Sequence, residues 1–223
     1  MDQNVDAVHG DNHAFHVEFR TSLVRLVSNK PVEQAKRKYI FVPGIPIVSV
    51  NGICYIISHS RVFCQEDAHN WQHEVIFPDG TAEPLITEDV RIQGDLAAFS
   101  VSTTAGLPDP VKFSGQQVSH NQEVYTVNYE GMREPSLLVR GRVTHVGEGS
   151  FFHDCTPGTF TIYGSPVFNE QSELVGICHK NYGVIEAFDV NEIEKLLSGI
   201  DPGMANKSLS EILQHIKATI QAN

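Results

Sequence analysis

"TFTIYGSPVFNEQSELVGICH", residues 159–179, decides how the chain is read. "TFTIY" (Thr159–Tyr163) alternates apolar and polar residues as a β-strand does, and "GSPVFN" (Gly164–Asn169) and "ELVGICH" (Glu173–His179) are short apolar runs between turn-forming residues. The same rhythm runs upstream in "HVEFRTSLVRLVS", "YIFVPGIPIVSV", "GICYIISH", "HEVIFPDG", "LAAFSVS", "EVYTVNYEG" and "SLLVRGRVTHVG", and returns downstream in "GVIEAFDV". Gly, Pro, Asn and Asp punctuate these runs, and "FPDGT" (Phe77–Thr81) and "NYEGM" (Asn128–Met132) read as tight turns. The pattern predicts an all-β protein, an antiparallel barrel or sandwich, with room in 223 residues for two barrels.

Only the C-terminal stretch turns helical. In "DVNEIEKLLSG", Asp189 and Glu192 have capping-box spacing, Val190, Ile193, Leu196 and Leu197 recur at helical period, and Gly199 follows as a stop. "SLSEILQHIKATI" repeats the device with Ser208 and Glu211. Residues 1–16 are polar and acidic and read as a flexible arm without the apolar core of a signal peptide. No apolar run reaches the length that spans a membrane. The net charge of −11 argues against a general nucleic-acid or anionic-membrane surface, and Lys36-Arg37-Lys38 is the one basic cluster. Four cysteines, Cys54, Cys64, Cys155 and Cys178, are too sparsely spaced for a disulfide scaffold or a zinc ribbon, which suits a reducing compartment.

Three segments carry chemistry in a set order. "CYIISHSRVF" is an apolar strand that ends at His59, "IQGDLAAFSV" is a turn that carries Asp95 into a strand, and "IYGSPVFN" follows. His, Asp, then nucleophile loop is the order of the chymotrypsin class. A hydroxyl or thiol needs a base to take its proton, an imidazole does this near neutral pH, and a carboxylate holds the imidazole in the right tautomer. Backbone N–H groups in a glycine-rich loop then stabilise the oxyanion.

On these residues the chain resembles the viral chymotrypsin-fold proteases called 3C-like, and among them those of nidoviruses, arteriviruses especially. "GSPVFNEQSELVGICH" is similar to the arterivirus pattern in which G-D-S-G-S-P-V leads through a hairpin to E-L-V-G-V-H; "GDLAAF" resembles the G-D-F-A around the triad aspartate, and "ISHSRV" the A-A-H-V around the triad histidine. The likeness covers roughly residues 40–188. It implies a chymotrypsin-like double β-barrel, the first barrel over 17–105 and the second over 106–188, with a short helical extension over 189–223. It also implies a viral polyprotein product acting in the host cytoplasm on polypeptide, with His59 as general base, Asp95 as its orienting carboxylate and no cofactor or metal.

The pattern breaks where the family acts. Its G-D-S before G-S-P is here Thr161-Ile162-Tyr163. A phenol at the nucleophile position carries its hydroxyl several ångströms farther than a serine would, and Thr161 and Tyr163 stand where the oxyanion loop should be; losing one such donor costs on the order of a hundredfold in rate. Ser165 is an alternative nucleophile only if the loop is rebuilt, since Pro166 follows it. Cys155 lies upstream of the attack position and reads as a packed thiol. The substrate-pocket histidine of 3C-like enzymes aligns with Cys178; His179 is one step later and reaches the pocket only through a bulge. Cys64, Glu66, His69 and His73 lack the spacing of a metal site, as do His9, His13 and His16. The expectation is a protease homologue that has lost or nearly lost proteolysis and keeps the fold to bind protein partners or to join a replication assembly. The alternatives are an endopeptidase cutting after Gln or Glu through a rearranged loop, and an RNA-binding module on the same fold.

Overall fold

The computed structural model describes residues 22–31, 37–64, 71–104, 106–129, 135–155, 163–181 and 185–222. Alternation governs the first half. Strands β1 (Val24–Pro31), β2 (Arg37–Val50), β3 (Ile53–His59), β4 (Gln72–Ile76), β5 (Ala82–Pro84), β6 (Arg91–Gln93) and β7 (Leu96–Ser102) form one antiparallel sheet in the order β5-β4-β1-β2-β3-β7-β6. Cys54 and Ile56 of β3 join Phe99 and Val101 of β7 in the core on one face, while Ile57 joins Leu96 and Ala98 in a second core on the other. Both faces are therefore covered, which is why β7 reads as a nearly continuous apolar run. The sheet curls until Thr103 Oγ1 and the Thr104 N–H both donate to Glu83 Oε1 (3.0 and 3.2 Å), just before β5 ends. The "FPDGT" turn joins β4 to β5: the Phe77 N–H donates to the Thr81 carbonyl (2.8 Å) and Gly80 takes φ +89°. The "NYEGM" turn falls mostly outside the described residues.

The second half closes on itself. Strands β8 (Glu123–Tyr129), β9 (Pro135–Val146), β10 (Ser150–His153), β11 (Pro166–Phe168), β12 (Leu174–Asn181) and β13 (Ile185–Asp189) form a barrel in the order β10-β13-β12-β11-β8-β9. Val124, Val143, Phe151, Cys155, Val167, Val175, Cys178 and Ala187 fill its interior. The expected fold class holds: two barrel-like sheets and a helical C-terminal part, consistent with a chymotrypsin-like double barrel.

Helices α1 (Val190–Ser198) and α2 (Leu209–Ala222) are built into the core. Ile193, Leu196, Leu197, Ile212 and Ile216 pack with Ile45 and Ile57 of the first sheet and with Val127, Phe168 and Ile177 of the barrel. Each expected capping box is half made. Asp189 accepts from the N–H groups of Asn191 and Glu192 (2.9 and 3.2 Å), but its own N–H belongs to the barrel, donating to the Gly149 carbonyl (3.0 Å), so Glu192 turns to Lys195 (2.6 Å). At α2 the reverse half forms, with the Ser208 N–H donating to Glu211 Oε2 (2.9 Å). Gly199 ends α1 at φ −76°, a conformation open to any residue. Among the described residues, no helix is long and apolar enough to cross a membrane.

Candidate active-site cleft

His59 is the last residue of β3 and is buried. Pairing of β3 with β7 sets His59 opposite Leu96, and the Ser60 N–H donates to the Asp95 carbonyl (2.8 Å), so the sheet brings the Asp95 backbone beside the imidazole. Asp95 sits in the two-residue turn between β6 and β7, where Gly94 takes φ +57°; the Ser60 hydroxyl donates to the Gly94 carbonyl (3.1 Å).

The imidazole is engaged in an unexpected way. His59 caps the short helical turn Ser60–Val62, and its Nδ1 accepts from the Arg61 N–H (3.0 Å). Nδ1 is therefore the unprotonated nitrogen, and the neutral ring carries its proton on Nε2. Nε2 is buried without a hydrogen-bond partner among the described residues. A triad base needs the opposite tautomer, with Nδ1–H on the carboxylate and an Nε2 lone pair toward the nucleophile. Burial pushes the His59 pKa down to about 4, only partly countered by the charge of Asp95 and by the His179 backbone beside the ring.

Tyr163 lies against this ring. The two rings meet edge to face with centroids 5.2 Å apart, and the Arg61 guanidinium sits 4.1 Å from the Tyr163 centroid. Tyr163 also packs on the apolar core of the first sheet. Behind it, Gly164 takes φ +83°, and a Cβ there would stand 3.2 Å from His59 Cβ, so the barrel's loop lies directly on the histidine. The Gly164 N–H donates to the Cys178 carbonyl (2.7 Å), and the Ser165 carbonyl accepts from the Cys178 N–H (2.9 Å). Ser165 is buried. Thr161, with Ile162, lies outside the described residues.

The side chains expected at a substrate pocket separate. Cys178 points into the barrel, where its Sγ is 3.4 Å from His153 Nε2, and burial pushes its thiol pKa far up. Cys155 shares that interior and donates to the Val124 carbonyl (3.6 Å); burial raises its pKa to about 12. Strand β12 does contain a bulge: Cys178 pairs with Ala187 and Lys180 with Glu186, leaving His179 between them. The His179 ring stacks on Phe188 (3.9 Å, 18°) and places Nδ1 3.6 Å from Asp95 Oδ2 and Nε2 3.3 Å from Glu186 Oε2. Of the weak metal group, Glu66 and His69 lie outside the described residues, and His73 Nδ1 shares a hydrogen bond with the Ser28 hydroxyl (2.6 Å). Sequence reading did not single out Arg61, Glu186 or Phe188, because strand register and the turn after β3 decide their place.

A family model, the trypsin-like peptidase domain, matches residues 44–177. The chain belongs to that family. The match begins within β2, ends within β12, and includes His59, Asp95 and Tyr163. No curated protein sequence matches the chain. The match shows a trypsin-like peptidase domain, and the narrower likeness to viral 3C-like enzymes rests on the "GSPV…ELVG", "GDLAAF" and "ISHSRV" patterns of the sequence.

Proposed function

We propose that this trypsin-like peptidase domain does not cleave peptides and keeps its fold to bind polypeptide. The observation that carries this reading is the aromatic ring of Tyr163 on His59, where a nucleophile would need the imidazole's lone pair. The phenol is clasped between imidazole and guanidinium, and the His59 nitrogen meant for the carboxylate is occupied by a backbone N–H. A base held neutral to about pH 4 in the Nε2–H form has no lone pair facing the cleft. On this reading His59 and Asp95 mark the inherited base and carboxylate positions, Tyr163 fills the nucleophile position, and Ser165 is structural.

The experiment is a peptidase assay on Gln- and Glu-containing peptides, with the wild type beside Tyr163→Ser and the triple variant Thr161→Gly/Ile162→Asp/Tyr163→Ser. No turnover by the wild type is expected. Wild-type cleavage abolished by His59→Ala would overturn the reading, and loss of that cleavage in Ser165→Ala would move the attack to Ser165.

A further inference from the structure

His179 is held from three sides. Phe188 stacks on one ring face, Glu186 Oε2 lies 3.3 Å from Nε2 and Asp95 Oδ2 3.6 Å from Nδ1, without a hydrogen bond at either nitrogen among the described residues; only the doubly protonated ring offers an N–H to both carboxylates. The other Glu186 oxygen accepts from the Ser150 hydroxyl (2.9 Å), so the carboxylate that fixes the ring is itself fixed. These supports all belong to the closed barrel, from β10, β12 and β13, whereas Asp95 comes from the first sheet. Asp95 is the exposed partner of the set: its side chain is 56% exposed against 8% for His179.

We propose that His179 is a positioning residue that draws the Asp95 carboxylate away from His59 and so sets the His59 tautomer. The proposal rests on reading His59 and Asp95 as the inherited base and carboxylate. A carboxylate directed at one imidazole is not placed to orient another. His59, without that acceptor, turns Nδ1 to the Arg61 N–H and keeps its proton on Nε2. The bulge in β12 makes this possible, because it leaves His179 without a cross-strand partner, on the face that carries Glu186 and Phe188. The cleft is then locked at two points, Tyr163 and His179, and replacing Tyr163 alone does not return Asp95 to His59.

The test is long-range 1H–15N NMR of the histidine rings in the full chain at about pH 6, where His59 is still neutral, with His59 assigned by loss of its signals in His59→Gln. The wild type shows His59 as the Nε2–H tautomer. His179→Ala shifts most of the His59 population to Nδ1–H, and His179→Ala/Asp95→Asn returns it to Nε2–H. Glu186→Gln, which loosens the ring without removing it, gives a smaller shift in the same direction and serves if the alanine variant does not fold. A His59 spectrum unchanged in both His179→Ala and Glu186→Gln, or a shift that persists without the Asp95 carboxylate, overturns the proposal. This readout does not depend on turnover, so wild-type cleavage would sink the non-cleaving reading while the tautomers still judge His179.

Discussion

Lowering the pH should strip this fold of stability well before its carboxylates titrate. Burial holds His59 and His153 neutral, with pKa values near 4, and His73 is lowered by the same cause. An unfolded chain takes up these protons near the ordinary imidazole value of about 6.5. Stability is therefore full above that value, falls as the pH drops through it, and levels off near pH 4. At about pH 5, His59 and His153 each cost about 2 kcal/mol relative to neutral conditions, and about 3 kcal/mol once both states are protonated. A chain of this size loses about 2–4 °C of melting temperature per kcal/mol, so the pair predicts a fall of about 8–16 °C between pH 7.5 and pH 5. Thermal unfolding followed by circular dichroism measures it. The double variant His59→Gln/His153→Gln should lose most of the pH dependence. Equal melting temperatures at the two pH values, or a double variant that keeps the full fall, would refute the neutral-imidazole account.

Further expectations concern packing and capping. A Cβ at Gly176 would meet the Phe188 carbonyl and the buried Phe151 ring (2.6 Å to Cε1), so Gly176→Ala should cost about 3 kcal/mol in urea unfolding; a wild-type midpoint would show that the hairpin yields. Tyr163→Ala removes the edge-to-face pair and the guanidinium contact and should cost about 2 kcal/mol, with a neutral result meaning that the ring does not bridge the sheets. Asp189→Ala removes the acceptor of two α1 N–H groups and should cost about 1 kcal/mol by the same measurement.

Much of the fold was legible because period-2 alternation is a direct image of which face is buried. In β3, Cys54 and Ile56 enter one core and Ile57 the other, as the residue pattern implies. The helices were legible from Asp189 and Ser208, although each box closed only halfway, the first because the barrel takes the Asp189 N–H at the Gly149 carbonyl. The relations within the cleft were not legible. No residue type marks the bulge at His179, whose neighbours Cys178 and Lys180 are ordinary strand residues. Glu186 and Phe188 reach His179 through cross-strand register, which single-chain spacing does not encode. Arg61 acts on His59 through its backbone N–H, a group that every residue but proline carries. What the letters carried at "TIY" was the expectation of a lost nucleophile; the hydrogen bond at His59 Nδ1 is visible only in the fold.

The core that joins both sheets to both helices also constrains synthesis. Leu23 and Val27 near the start of the described chain share that cluster with Ile212 and Ile216 near its end. A nascent chain therefore exposes the outer face of its first sheet until the residues of α2 have left the ribosome. A ribosome stalled after β13 would hold that apolar surface open to chaperones.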